Sequence, residues 1–361
     1  MKKRLQGLLL FICIFALLTA CAPSVPQEPS VPTVPFVDSC GREVQVPEKI
    51  DRVAVSGLTA QIILSGLAPE LLAGVASRPS AQQQRFLPQC LSELPELGQL
   101  YGGKGDLNPE SLIRSSAQII LDLGDEKANH AEDMQAIQEQ TGIPTVFIKA
   151  TGETMPEAYR TLGRLLGCEE RAETLAQYVE SALALAQTNR ERLTEQKTVL
   201  FCTGVTGLDC NQRGSVQARD IELVGGINAL VSDTLSNKSG GCSIDYETLL
   251  SLDPDVILLT GEGFYDLIGE DSLWKELKAV RSGAVYEIPS LPHGWMSNPP
   301  SVNQILGVYW LGNLLYPALY DYDMTEKAQE FYRLFWQYEL SDEEARELLS
   351  RSTLKDLEVQ P

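Results

Sequence analysis

The chain has 361 residues, of which 43% are hydrophobic and 22% charged; that is a globular composition too long for one ordinary core, so two lobes or one large α/β unit are expected. Aspartate and glutamate number 49 against 29 lysines and arginines, for a formal net charge of −20. A field of that sign repels a polyanion and excludes nucleic acid as a partner.

In chain order, Lys2, Lys3 and Arg4 precede an apolar stretch from Leu8 to Leu18, which is too short to span a bilayer as a helix, where about 20 residues are needed. The stretch closes on Leu18, Thr19, Ala20 and Cys21. This resembles the lipobox of bacterial lipoproteins and implies a diacylglyceryl group on the Cys21 thiol. Residues 1–20 are therefore expected to be a signal peptide and residues 21–35 a lipidated cysteine with a tether. The tether sequence APSVPQEPSVPTVP cannot pack a core and favours extended conformers. Such a chain is extracytoplasmic and held to the cell membrane by its lipid. Beyond Cys21 stand Cys40, Cys90, Cys168, Cys202, Cys210 and Cys242, which an exported chain can pair. No CxxC spacing occurs among them, their pairing is left open, and small buried residues are the expectation.

After the tether, short β-branched runs alternate with helical patterns: Arg52 to Val55, then a helix from Thr59, then Leu72 to Val75, Ile119 to Leu123 and Thr145 to Ile148. The alternation predicts parallel strands with crossover helices. Runs at Val199 to Thr203, Val256 to Thr260 and Ala284 to Ile288 repeat it. Between the halves, apolar residues at Ala172, Leu175, Ala176, Val179, Ala182, Leu183, Ala186 and Leu193 recur every three to four positions. That period predicts one long amphipathic helix from Glu169 to Glu195, behind a shorter one ended by Gly163 and Gly167.

The halves share a local sequence. NPESLIRSSAQIILDLGD, from Asn108, precedes DYETLLSLDPDVILLTGE, from Asp245, by 137 residues. Each reads as a capped helix start with a glutamate in its first turn, followed by a turn and a buried strand. Asn108 and Asp245 suit the N-cap and Pro109 the first helical position. The expected fold is thus α/β: two Rossmann-like lobes with parallel sheets, joined by one long helix, with the ligand cleft between them. The N-terminal lobe is expected over 36–153, connecting helices over 154–197, and a C-terminal lobe with C-terminal helices over 198–361. A stiff helical connection predicts small opening motions.

With VDSCGREVQVPEKIDRVAV, LNPESL, IDYETLLSLDPDVILL, ELVGGINAL and LKAVRSGAVYEIP in this order, the chain resembles the helical-backbone class of periplasmic binding proteins, the siderophore, haem and cobalamin binders of ABC importers. GWMSNPPSVNQILGVYWLGNLLYP is similar to a pattern of a subgroup for iron or oxyanion uptake. The resemblance implies a monomeric, lipid-anchored substrate-binding protein that delivers a metal chelate (ferric siderophore, haem or corrinoid) to a membrane permease. It implies no enzymatic activity and no cofactor of its own. An oxyanion ligand, or a sensor or chaperone role on the same fold, is the alternative. Gln61 stands where many members have a glutamate, and Leu67 where a glycine is usual. Family members meet permease arginines through one exposed glutamate per lobe, and the matching residues are Glu110 and Glu247.

Ligands of open parallel sheets bind beyond the carboxyl ends of the strands. The loops expected there hold Leu58, Ser77, Arg78, Tyr101, Lys104 and Asp125 in one half, and Gln212, Arg213, Tyr265, His293 and Trp295 in the other. Rings cover apolar ligand faces and arginines pair with peripheral carboxylates or a metal-bound oxyanion. The substrate-binding expectation is accordingly Tyr101 and Trp295 as the two faces, with Arg78, Arg213, Gln212, Tyr265 and His293 around them. His130 and His293 are the only histidines, too few for the multi-histidine site that a bare zinc ion requires. GQLYGGKG, from Gly98, fits a phosphate loop up to Lys104 and then has Gly105 where a magnesium-binding hydroxyl is required. GEGFYD lacks the third glycine of a dinucleotide fingerprint, and no GxSxG occurs.

Overall fold

The computed structural model describes residues 32–102, 105–232, 241–261, 263–297 and 299–353. The leader, Cys21, the tether up to residue 31 and Lys104 lie outside the described residues. The first element is an antiparallel hairpin, β1 (Thr33–Val37) and β2 (Glu43–Pro47). It turns at Asp38, whose carboxylate accepts from the backbone N–H groups of Cys40 and Arg42. Thr33 to Pro35, the last residues of the expected tether, are already paired to β2.

Lobe one is a parallel sheet in the order β3 (Val53–Val55), β4 (Ile119–Gly124), β5 (Thr145–Lys149). Around it lie α1 (Leu58–Leu67), α2 (Ala81–Gln84), α3 (Pro109–Arg114) and α4 (His130–Thr141). Every residue of β4 is buried, as its continuous apolar run requires of a strand covered on both faces. The expected strand Leu72 to Val75 makes only single bridges, Val53 to Leu72 and Val75 to Glu96.

Two helices link the lobes, α5 (Met155–Leu166) and α6 (Glu169–Glu191). Gly167 ends α5 in the left-handed conformation, with φ of 69°. Gly163 does not end it. A Cβ there would sit 2.5 Å from the Ala172 Cβ, so the glycine sets the close approach of the two helices. At 23 residues, α6 is about 34 Å long, one turn shorter than its periodicity predicts.

Lobe two contains β6 (Thr198–Thr203), β7 (Asp209–Asn211), β8 (Ile227–Asn228), β9 (Gly241–Ser243), β10 (Val256–Leu259) and β11 (Val285–Glu287). The order is β11-β10-β6-β7-β9, with β8 also paired to β6. The expected strands β6, β10 and β11 are parallel. The short strand β7 runs antiparallel to β6, and β9 in turn antiparallel to β7, an insertion without a sequence signal because each has only three residues. Helices α7 (Arg219–Leu223), α8 (Tyr246–Leu252) and α9 (Lys278–Arg281) belong to this lobe.

The internal repeat corresponds to equivalent positions in the two sheets. The α3–β4 and α8–β10 units each place their strand between two parallel neighbours. Both expected caps form: the Asn108 side chain accepts from Ser111 N at 3.0 Å and the Asp245 side chain from Thr248 N at 2.8 Å.

The last helices, α10 (Asn303–Leu315), α11 (Met324–Phe331) and α12 (Asp342–Leu349), follow lobe two in sequence, but the segment after α11 returns to lobe one. A Cβ on Gly66 of α1 would meet the Phe335 carbonyl at 2.8 Å, and Arg171 of α6 donates to the carbonyls of both Gly66 and Leu334. Phe331 and Phe335 stack at 4.4 Å and Tyr178 of α6 meets both rings. One large core therefore runs through both lobes.

Candidate functional site

At the carboxyl ends of the lobe-one strands, Asp122 lies in a buried relay. Ser56 Oγ donates to Asp122 Oδ1, and His130 Nε2 lies 2.5 Å from Asp122 Oδ2. The Lys127 backbone N–H donates to His130 Nδ1 at 3.1 Å. Nδ1 is thereby the acceptor, so Nε2 carries the N–H that donates to Asp122 Oδ2. Phe147 packs against the imidazole face, and Tyr101 meets the same ring in a T-shaped contact.

Three residues further, just past the end of β4, Asp125 meets Arg219 of α7 at 3.5 Å. Arg219 also lies against Gly152, where a Cβ would approach Nη1 to 3.3 Å. This contact joins the strand-end loops of lobe one to lobe two. Beside it lies a small void lined by Gly152 and Met155 on one side and Asp220, Ser301, Gln304 and Ile305 on the other. The space that a water centre can reach is about 10 Å³, room for one water. Asp220 is fully buried, and among the described residues neither its carboxylate oxygens nor Ser301 Oγ has a hydrogen-bond partner. Burial pushes the Asp220 carboxyl well above the usual range. A second link across the seam is Gln83 Nε2, which donates to the Pro292 carbonyl at 2.9 Å.

The expected substrate-binding residues do not all converge on this seam. Tyr101 is in lobe one, where its hydroxyl donates to Asp133 Oδ2 at 2.6 Å. Its ring meets His130 in a T-shaped contact with centroids 5.2 Å apart, so it contributes to the lobe-one packing. Arg78 is exposed and makes no ion pair among the described residues. Trp295 is 1% exposed and belongs to the core, packed so that a Cβ on Gly307 of α10 would lie 2.4 Å from the Trp295 carbonyl; it offers no ring face to a ligand. His293 is 6% exposed and its ring packs on Trp336 at 5.3 Å. Burial lowers its pKa to about 4, which keeps the ring neutral.

Arg213 and Gln212 follow β7, and because β7 is antiparallel to β6 the chain there runs back toward the amino end of β6. The Arg213 backbone N–H donates to Leu230 O, and its guanidinium lies by Asn228, which pairs with Val199 near the start of β6. Gln212 is buried, with Oε1 lacking a partner among the described residues. Tyr265 lies under the Arg351 guanidinium at 5.2 Å. Arg219, the cation that does reach the seam, carries no local sequence signal, since its position depends on the α7 docking.

Glu110 and Glu247 are both exposed and occupy the same place, two residues after the N-cap of α3 and of α8. Each also has an exposed apolar residue one turn on, Ile113 at 52% and Leu250 at 40%.

A protein-family model described as "Periplasmic binding protein" matches residues 110–292. The chain is similar to the ABC transporter solute binding protein from Sulfurospirillum deleyianum: the structures superpose with a TM-score of 0.80 at 28% identity, covering 88% of this chain and 99% of that one. It is similar in fold to the molybdate periplasmic binding protein MolA of Haemophilus influenzae, with a TM-score of 0.67 at 18% identity over 85% of this chain and 99% of that one. The high-affinity haem uptake system protein IsdE of Staphylococcus aureus is 23% identical over 225 residues, 59% of this chain and 73% of that protein. With two α/β lobes on a helical connection and the family match over half its length, the chain belongs to the periplasmic binding protein family, as an extracytoplasmic solute-binding component of an ABC importer.

Proposed function

We propose that the protein is anchored by a lipid on Cys21, binds a metal chelate at the seam between its lobes and presents it to the permease through Glu110 and Glu247. The observation that carries the ligand site is the Arg219 to Asp125 contact at 3.5 Å. It is an ion pair between the loop that leaves β4 in lobe one and the first residue of α7 in lobe two, at the carboxyl end of the lobe-one sheet, where open parallel sheets take their ligands. Both members are about 30% exposed, so a carboxylate or oxyanion of the ligand can replace Asp125 on the guanidinium. Arg78, exposed on the lobe-one side, supplies a second cation. A protein with this excess of acidic residues needs such local cations to hold an anion.

The chelate reading is supported by the similarity to a haem uptake protein, and the oxyanion reading by the fold shared with a molybdate binder and by the tightness of the seam. Thermal shift against ferric siderophores, haem, cobalamins, molybdate and tungstate separates them. A ligand at 100 times its Kd raises stability by about 2.7 kcal/mol. Stabilisation by a chelate is the expected result, stabilisation by oxyanions alone replaces the chelate with the oxyanion, and no response to any of them rejects both. For the anchor, Cys21→Ala releases the protein to the medium. An unlipidated mature terminus elsewhere in the wild type, found by mass spectrometry, overturns it.

A further inference from the structure

Cys202, Cys210 and Cys242 occupy one line across three neighbouring strands. The register pairs Cys202 of β6 with Cys210 of β7, and Cys210 with Cys242 of β9. Directly paired side chains share a sheet face, and all three lie in the same buried cluster with Leu200, Leu249 and Trp274. Cys202 and Cys210 are 0% and 1% exposed, while Cys242, on the edge strand β9, is 8% exposed.

The hydrogen-bond pattern makes the two pairs different. The Cys202 carbonyl accepts from Thr260 N, on the β10 side, so its backbone polar groups point away from β7. Cys202 and Cys210 are therefore a non-hydrogen-bonded antiparallel pair, the kind with the closer side chains. On the other side of β7, Ile244 N donates to Leu208 O, so alternate residues of β7, Cys210 among them, bond to β9. Cys210 and Cys242 are then a hydrogen-bonded pair, with Cβ atoms farther apart. A disulfide needs Cβ atoms roughly 3.5 to 4.5 Å apart, which favours the first pair, and the Sγ atoms of Cys202 and Cys210 already lie 3.7 Å apart. Cys202 and Cys242 are two strands apart, about 10 Å, beyond disulfide reach. Three thiols in a line do not surround a point, and among the described residues no cluster suited to a metal ion is present.

We propose that this ladder is a thiol oxidation site in which Cys202 and Cys210 form a cross-strand disulfide and Cys242 remains a thiol. The oxidant is a disulfide of the extracytoplasmic space. The Cys210 thiolate attacks one oxidant sulfur and expels the other as a thiolate. The Cys202 thiolate then attacks Cys210 Sγ and expels the second oxidant thiolate. Two protein thiols lose two electrons and two protons, and the oxidant becomes two thiols. Burial disfavours the Cys202 and Cys242 thiolates, so the reaction needs the three-residue strand β9 to part from β7, during folding or in a local opening. The bond ties β6 to β7 at the base of the turn from Gly204 to Leu208, at the carboxyl end of β6.

The test is peptide mapping of the full protein in a reduced and oxidised glutathione buffer, with free thiols alkylated before trypsin cleavage. Cleavage after Lys197 and Arg213 leaves Cys202 and Cys210 on one peptide of 16 residues, while Cys242 is on another. The expected map shows the first peptide unalkylated and two hydrogen masses lighter, with Cys242 alkylated. In Cys242→Ala the same peptide still oxidises, and in Cys210→Ala neither remaining thiol of the ladder is consumed. Alkylation of both cysteines in the wild type under oxidising buffer, or a link involving Cys242, overturns the proposal. The wild-type map decides the matter without the variants, should Cys210→Ala fail to fold.

Discussion

Arg219 and Asp125, 94 residues apart in the sequence, meet at 3.5 Å and join α7 of lobe two to the end of β4 in lobe one. If an anionic ligand takes the place of Asp125, the two residues affect binding in opposite directions. Arg219→Ala is expected to weaken an anionic ligand by about 2 kcal/mol, roughly thirtyfold in Kd. Asp125→Ala, by removing the competing carboxylate, tightens it. Isothermal titration of both variants checks this: weakening by both would refute the competition, and unchanged affinity in both would remove the pair from the ligand site.

Glu110 and Glu247 occupy matching first-turn positions on α3 and α8. Charge complementarity sets orientation and partner choice at interfaces. Glu110→Lys and Glu247→Lys are each expected to impair uptake in cells, and the double variant nearly to abolish it, with ligand affinity of the isolated protein unchanged. Wild-type uptake by the double variant would assign docking to other residues.

His293 makes the fold acid-sensitive. Its buried imidazole has a pKa of about 4, against about 6.5 in an unfolded chain. Between those values the unfolded chain binds a proton that the folded one does not. Stability is therefore lost as pH falls from about 6.5 to about 4, by up to about 3 kcal/mol from this residue. Urea unfolding of wild type and His293→Gln across this window measures it. The variant is expected to have the shallower pH slope, whatever its stability at neutral pH, and parallel slopes would contradict the buried neutral state.

Trp295→Ala is expected to act on folding. Emptying a fully packed indole site costs about 3 to 5 kcal/mol, seen as a large fall in Tm without any ligand. Trp295→Phe keeps most of the volume and most of the stability. An unchanged Tm in Trp295→Ala would return this residue to the list of ligand contacts.

The parts of this protein legible in its sequence are those settled within a few residues. Asn108 and Asp245 reach backbone N–H groups three residues on, so a cap can be read locally. The period of the long helix follows equally from near neighbours, as does the repeat that places β4 and β10 each between two parallel strands. Tertiary structure decided the rest. Trp295 sits in a loop by sequence, and only the close approach of Gly307 on α10 and the packed core around it show that the ring is buried. Arg213 was moved away from the strand ends by β7, whose three residues pair antiparallel through backbone groups that carry no side-chain signature. Arg219 reaches the seam because α7 docks against α6 and α10. Burial and ion pairing of this kind depend on elements far apart along the chain, whereas caps and helical periods depend on the backbone geometry of one turn.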